Sequence, residues 1–462
     1  MVKTLAQRSL QSVWHPCTQM WQADRDPPLA VARAEGAWLS LESGERLFDG
    51  ISSWWVNLLG HGHPRVVSAL KDQLDTLSHV MLAGFTHEPA VQLAEALSER
   101  THGQLGHCFF ASDGASAVEI ALKMSAHRMR EQGRPERNRF ICLAQSYHGE
   151  TLGALSVTDV PLFREAYAPL LRPPLIAPSP DPRLAPPGMG AEAWAEQAAR
   201  ALERVVEAHQ HEVCALILEP LVQAAAGMGI YSSHYLRRAR AITQAYDIDL
   251  IADEIAVGCG RTGRFFAVEH AIESPSNGQE WPDLICLSKG ISGGFLPLSL
   301  VLVKPSIYRS FYHPEPRRGF LHSHSYSGNP LACRAAVEVL RVMAEEQILE
   351  QTALAARKVS EVLSAHLEPA LKDGKLQHLR AIGSIWAVDL PASPGRGEQV
   401  QSIRAGARAR GLFIRPIGGT LYLMPPLVLH EGHAEWLATT FAQAVLGGLH
   451  THASGPTPPA LP

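Results

Sequence analysis

No uninterrupted apolar run in these 462 residues approaches the roughly 20 that a membrane-spanning helix needs. The first residues, Met1-Val2-Lys3-Thr4-Leu5-Ala6-Gln7-Arg8-Ser9, lack the apolar core of a signal peptide. A basic excess is missing too. The formal net charge is −4 and there is no polybasic run, which speaks against nucleic-acid and membrane partners. The seven cysteines are scattered and include no CxxC pair, so they read as reduced thiols in a cytoplasmic protein. No internal repeat is present. What remains is a globular composition, 46% apolar and 19% charged, with material for a large core. The length exceeds one ordinary core and predicts about two or three lobes.

The pattern divides the chain. Residues 1–60 form an N-terminal arm, with a β-hairpin over Ala37–Leu41 and Arg46–Gly50 around Ser43-Gly44. Residues 61–335 form a large domain and residues 336–450 a smaller α+β domain. Residues 451–462 read as a disordered, Ser/Thr/Pro-rich tail. Helices are predicted over 64–77, with Val67, Leu70, Leu74 and Leu77 inward, and over 90–100, 116–129 and 191–212. Strands alternate with them at 107–110, 139–143, 213–218, 248–253, 283–288 and 298–303. The proline-rich stretch 172–188 reads as a loop. A long helical stretch follows Pro330, then short strands near 385–388, 412–414 and 421–423. The alternation predicts an α/β fold, a mainly parallel sheet covered by helices on both faces.

Two of these strands end in a charge. Ile248-Asp249-Leu250-Ile251-Ala252 runs into Asp253-Glu254, and Asp283-Leu284-Ile285-Cys286-Leu287-Ser288 into Lys289-Gly290. Such strands deliver a residue to the carboxyl edge of the sheet, where ligands bind in open α/β folds. A lysine and an aspartate placed there suit pyridoxal phosphate: the lysine binds it covalently and the aspartate holds the protonated ring nitrogen. The glycines of Gly290-Ile291-Ser292-Gly293-Gly294 leave room for a large group. Each residue also has a blander reading, Asp253 as a cap or ion-pair partner and Lys289 as a solvated lysine.

Ala111-Ser112-Asp113-Gly114-Ala115-Ser116 lies between a strand and a helix. Its small residues and the helix start make a phosphate cup, or else a plain N-cap by Asp113 or Ser116. Tyr147, in Ser146-Tyr147-His148-Gly149, can lay its ring on a flat cofactor or sit in the core. Arg415 can grip a carboxylate in two-pronged fashion or form a surface ion pair. Trp54-Trp55 would point to opposite sides on a strand, whereas on a loop both could line an apolar channel. His61-Gly62-His63 and His322-Ser323-His324 suggest metal pairs, but that reading leaves Lys289 and the phosphate cup without a role, and no metal is expected.

Together these segments resemble the class III aminotransferases of fold type I, from about Trp14 to Pro426. The strongest match is Ile251-Ala252-Asp253-Glu254-Ile255-Ala256-Val257-Gly258-Cys259-Gly260-Arg261-Thr262-Gly263 with Leu287-Ser288-Lys289-Gly290. The resemblance implies a large domain with a seven-stranded type of sheet, a smaller α+β domain built from both chain ends, and pyridoxal 5′-phosphate as cofactor. It implies that Lys289 binds the cofactor and shuttles protons, Asp253 pairs with the ring nitrogen, Tyr147 stacks on one ring face and Ile255 packs on the other. Gly114 and Ala115 would offer backbone donors to the phosphate. Ser325 would reach the phosphate of a partner subunit, so the site would be shared in a homodimer. Arg415 would hold a substrate carboxylate, Trp54 and Trp55 would enclose an apolar chain, and Tyr422 would line the same end.

Within the family, Trp14-His15-Pro16, Ser52-Ser53-Trp54-Trp55, Gly411 to Pro416 and Leu421 to Pro426 resemble members acting in biotin formation. That resemblance implies amine transfer to 8-amino-7-oxononanoate with S-adenosylmethionine as donor. The sequence departs from the pattern in three places. Cys17 stands where a substrate-contacting tyrosine is found, which leaves lysine open as donor. Asp113-Gly114-Ala115 lacks the usual cup hydroxyls, and Gln223-Ala224-Ala225-Ala226-Gly227 carries alanine in place of glycine. The rival readings are an ornithine- or aminobutyrate-type ω-aminotransferase, an aminomutase or racemase on the same cofactor, and a non-catalytic relative.

Overall fold

The computed structural model describes residues 3–449, so the tail expected at 451–462 lies outside the described residues. Its centre is a seven-stranded sheet in the spatial order His107–Ala111, Ser299–Val303, Leu284–Leu287, Asp249–Asp253, Val213–Leu218, Arg139–Leu143, Leu175–Ala177. Only Ser299–Val303 runs antiparallel to its neighbours. The inner strands are buried along their whole length, as in Val213–Leu218 and Asp249–Asp253. That is why they read as continuous apolar runs rather than alternating ones. The helix Gly114–Glu131 packs its Ile120, Ala121 and Met124 side on one face of the sheet. Pro330–Glu345 closes another core with the strands that end at Lys289 and Ala111.

Both parts of the chain outside this sheet meet in a smaller α+β lobe. The predicted hairpin forms, as Trp38–Leu41 and Arg46–Asp49, with Gly44 at φ 86° in the turn. Leu412–Phe413 then pairs parallel with Arg46–Asp49. A second, antiparallel sheet joins Gln377–Ile382, Ile385–Asp389 and Thr420–Leu423. Ile348–Lys372 and Glu431–Leu449 cover them. Arg380 binds Asp389 of this lobe and Asp389 also meets Arg183 from the large one, at 2.9 and 3.3 Å, so a charged network clips the lobes together.

Three sequence expectations change. The stretch 172–188 is not all loop: Leu175–Ala177 adds the last parallel strand, short because prolines flank it. In Pro64–Thr76 the buried face is Val66, Ala69 and Gln73, while Leu74 is 58% exposed. The apolar stripe is therefore offset from the core and part of it faces outward. The long helical stretch after Pro330 is two helices, broken at Gln347 with φ 51°, and the division expected at 335 falls inside the first. Among the described residues no helix is long and apolar enough to cross a membrane.

Candidate active site

Asp253 ends its strand, and Lys289 follows the end of the neighbouring strand, opening a short helical turn two residues past Leu287. Asp253 lies in register with Cys286, three residues before Lys289 along the chain. Lys289 adopts φ 46°, a left-handed conformation that swings it off the strand line. Such strain in a non-glycine residue costs on the order of 1–3 kcal/mol and gathers at functional sites. The amine opens into a cavity of about 220 Å³ together with Asp253, Tyr147, Gly114, Ala115 and Ile255. Burial depresses the pKa of the amine, with Asp253 and Glu219 acting in the opposite direction. A larger cavity, about 310 Å³, opens elsewhere beside Leu236 and Arg240, and none of these six residues lines it.

The Asp253 carboxylate is fixed from two sides. Oδ1 accepts the Ile255 N–H at 3.1 Å and Oδ2 lies 2.7 Å from His148 Nδ1. The His148 ring is fully buried and its Nε2 has no hydrogen-bond partner among the described residues. Sequence reasoning passed over His148, although it directly follows Tyr147 at the end of the next strand but one.

Glu219 was also missed, and the signal was the same one used for Asp253: it ends the apolar strand Val213–Leu218. Its oxygens accept the Tyr147 and Ala224 N–H groups at 3.1 and 3.0 Å. Burial first, and then the nearby Asp253 charge, push its carboxyl up to about 8. The folded state thus holds a proton that the unfolded chain has released, so stability falls as pH rises from 4.5 to about 8. In Glu219→Gln that fall should be shallower, read by denaturant unfolding at both ends of the window. Parallel profiles would show that Glu219 does not hold its proton in the fold. Burial and the Glu150 carboxylate, which accepts the Tyr147 hydroxyl at 2.9 Å, hold the Tyr147 phenol well above its usual value; Cys17 and Asp253 add to this.

The predicted cup is the N-terminus of Gly114–Glu131. Ala117 N–H makes the first helical bond, to Asp113 O, so Gly114 and Ala115 present their N–H groups at the helix start. Asp113 is the cap as well: its two oxygens take the Ser116 N–H and hydroxyl at 2.9 and 2.7 Å, which turns its charge aside. The cap reading is met, and the helix start leaves the Gly114 and Ala115 N–H groups free of helical partners. Gly149, at φ 121°, has to be glycine, since a Cβ would lie 2.7 Å from that of Ala115.

The aromatic side is a turn, neither strand nor open loop. Ser52, Ser53, Trp54 and Trp55 have φ of 52°, 47°, 69° and 72°. Trp55 is buried, gives its indole N–H to Tyr422 Oη at 3.1 Å and lies 4.8 Å from Lys289 Nζ. Trp54 is 41% exposed and stands 4.8 Å from the Arg415 guanidinium. Among the described residues Arg415 has no carboxylate partner, so the surface ion pair is not what it forms. It gives one bond, to the Cys17 carbonyl at 3.0 Å. Ser325 does not reach the cavity of its own chain; it is exposed and its carbonyl lies 2.8 Å from His79 Nε2. The two His-x-His pairs go elsewhere: His61 meets Asp49 at 3.1 Å, and His322 and His324 face each other at 2.8 Å.

These residues fit pyridoxal phosphate. The cavity offers an amine at one strand end, an anchored carboxylate beside it, N–H groups at a helix start, and glycines where a Cβ would intrude.

Comparison with known proteins agrees. The sequence profile described as aminotransferase class-III matches residues 20–445. The adenosylmethionine-8-amino-7-oxononanoate aminotransferase of Helicobacter pylori is 40% identical, the alignment covering 93% of this chain and 95% of that protein. The protein of the same name from Synechococcus elongatus is also 40% identical, over 90% and 94%. Among solved structures, the enzyme of that name from Methanocaldococcus jannaschii superposes with a TM-score of 0.87 at 29% identity, over 96% of this chain and 98% of that one. An ω-transaminase from Pseudomonas jessenii in complex with PMP gives 0.88 at 25%, over 96% and 98%. A lysine and an aspartate at adjacent strand ends, backbone N–H groups at a helix start beside them and a profile match over nearly the whole chain agree that this protein belongs to the class III aminotransferases.

Proposed function

We propose that this enzyme transfers an amine to 8-amino-7-oxononanoate, giving 7,8-diaminononanoate, with S-adenosylmethionine as donor. The observation that carries the substrate is the pairing of Trp54 with an Arg415 that has no carboxylate partner among the described residues, a cation for an acid group beside an apolar wall. The relatives' shared name supports the same reaction.

Pyridoxal phosphate supplies an electron sink for the carbanion charge formed when the donor carbon loses its proton. The chain's own residues do the rest. Lys289 would hold the cofactor, and its amine would carry the proton to and from the donor carbon. Asp253, steadied by His148 and the Ile255 N–H, would keep the ring nitrogen protonated. Tyr147 and Ile255, which line the same cavity, would hold the ring between them, and the Gly114 and Ala115 N–H groups would take the phosphate. Arg415 binds the oxo acid's carboxylate, and Trp54, Trp55 and Tyr422 enclose its methylenes and exclude water. Cys17 borders this end, its carbonyl on Arg415.

The working form is a homodimer in the cytoplasm. Leu74, Met81, Phe85, Leu321 and Tyr326 are 55–79% exposed, and the His79–Ser325 bond joins two of the segments that carry them. A second copy would cover this surface and bring its own Ser325 to the phosphate. The small lobe built from both chain ends would then close the acceptor side.

The test is a spectral titration of the yellow protein with S-adenosylmethionine and, separately, lysine, followed by 8-amino-7-oxononanoate. S-adenosylmethionine should bleach the cofactor and the oxo acid should restore it. Bleaching by lysine alone would change the donor, and no response to the oxo acid would remove the acceptor. Arg415→Ala should cost about 1.5–3 kcal/mol of acceptor binding, the scale of a charged hydrogen bond. That is roughly ten- to 150-fold in acceptor KM. An unchanged KM would take Arg415 out of the site.

A further inference from the structure

Four consecutive residues, none of them glycine, have φ between 47° and 72°: Ser52, Ser53, Trp54 and Trp55. L-residues visit this left-handed region singly and not in runs, because each Cβ crowds the following carbonyl oxygen. A run persists only where its surroundings over-determine it. Here several restraints can be named, among them the buried Arg261, which donates to the Trp55 carbonyl at 3.3 Å, and the Asn57 N–H on Ser52 O at 3.1 Å. Trp55 N–H and Val56 N–H close the turn on Ile51 O and Ser52 O at 2.8 and 3.0 Å. Ser52 Oγ donates to Met424 O at 2.8 Å. Ser53 Oγ donates to Asp49 Oδ2 at 2.7 Å. Asp49 also takes the Ile51 N–H, at 3.4 Å, and lies 3.1 Å from His61 Nε2.

Asp49 is completely buried beneath the turn, and among the described residues the hydrogen-bond partners of its carboxylate are Ile51, Ser53 and His61, not Lys289 or Arg415. Above it, the two indoles stand over both: Trp55 over Lys289 and Trp54 over Arg415, each at 4.8 Å. Neighbours on a strand would point to opposite sides and could not both serve one cleft.

We infer that Asp49, acting through Ser53, is a positioning residue for the acceptor: it holds the left-handed turn and so fixes, as one unit, the Trp54 wall at Arg415 and the Trp55 wall at Lys289. The ligand class is a long-chain oxo acid, whose carboxylate meets Arg415 while its methylenes run along the indoles. The inference rests on the acceptor site proposed above.

Ser53→Gly tests it without endangering the fold. Ser53 is exposed, and glycine is at home at positive φ, so the variant loses the tether and relieves strain together. Its unfolding temperature should equal or exceed that of the parent. Its acceptor KM should rise about tenfold with a much smaller change in kcat, since a ~1 Å misplacement of binding groups costs up to about a hundredfold. Asp49→Asn, which keeps an acceptor for Ser53, should fall between the two. Trp54→Ala and Arg415→Ala run alongside. If these two raise the acceptor KM while Ser53→Gly and Asp49→Asn leave it unchanged, the inference is overturned and the acceptor site stands. If none of the four moves KM, the acceptor site falls, and the inference with it. A lower unfolding temperature with kcat lost and KM unchanged would make the turn merely structural and overturn the inference too.

Discussion

Lys289→Ala should reduce turnover by about 10⁴-fold or more, the upper range for a positioned acid–base group. In the proposed reaction one amine has two duties, holding the cofactor and moving the proton, and alanine performs neither. The lysine also has no understudy: Asp253 and Glu219 are the other titratable groups acting on it, and both are acids. Cofactor affinity should survive in part, because the phosphate cup and Asp253 are untouched. The decisive measurement is therefore covalent. Borohydride treatment of the parent should fix the cofactor to the peptide that contains residue 289, and the same treatment of the variant should fix none. Label recovered on another lysine would dismantle the assignment.

Asp253→Asn should lower kcat by about 10²–10³-fold, as expected when a preorganised electrostatic partner is removed. The carboxylate does more than carry charge. It accepts from Ile255 N–H on one oxygen and meets His148 on the other, and an amide oxygen can serve only one of these. The buried imidazole would then face an NH₂ group, so ring placement should suffer together with ring protonation. Bound cofactor should show this directly, its absorbance titrating at lower pH than in the parent. A variant with full activity and an unaltered spectrum would mean that Asp253 serves the fold alone.

Much of the fold was legible because the inner strands are buried on both faces. Val213–Leu218 and Leu284–Leu287 could only read as apolar runs, and a run that ends in a lone charge announces the sheet edge. Asp253 and Lys289 were visible for that reason. Glu219 carried the same mark and went unused, since nothing in a sequence separates a carboxyl that keeps its proton from one that loses it. His148 was hidden by distance, for its contact with Asp253 spans 105 residues. The edge strand Leu175–Ala177 was masked by its prolines. The tryptophan turn could not be foreseen at all. Serine and tryptophan are ordinary residues, and no local preference favours four left-handed φ angles in succession; the tertiary contacts from Asp49 and Met424 impose them.

The parallel pairing of Leu412–Phe413 with Arg46–Asp49 has a consequence for biosynthesis. The earlier strand leaves the ribosome long before its mate exists, and at roughly 5–20 residues per second the wait is on the order of tens of seconds. Throughout that interval the hairpin stands with an unpaired edge, a target for chaperones or for neighbouring nascent chains. The indoles hang from the end of that strand, so the cleft is among the last parts of the molecule to take shape.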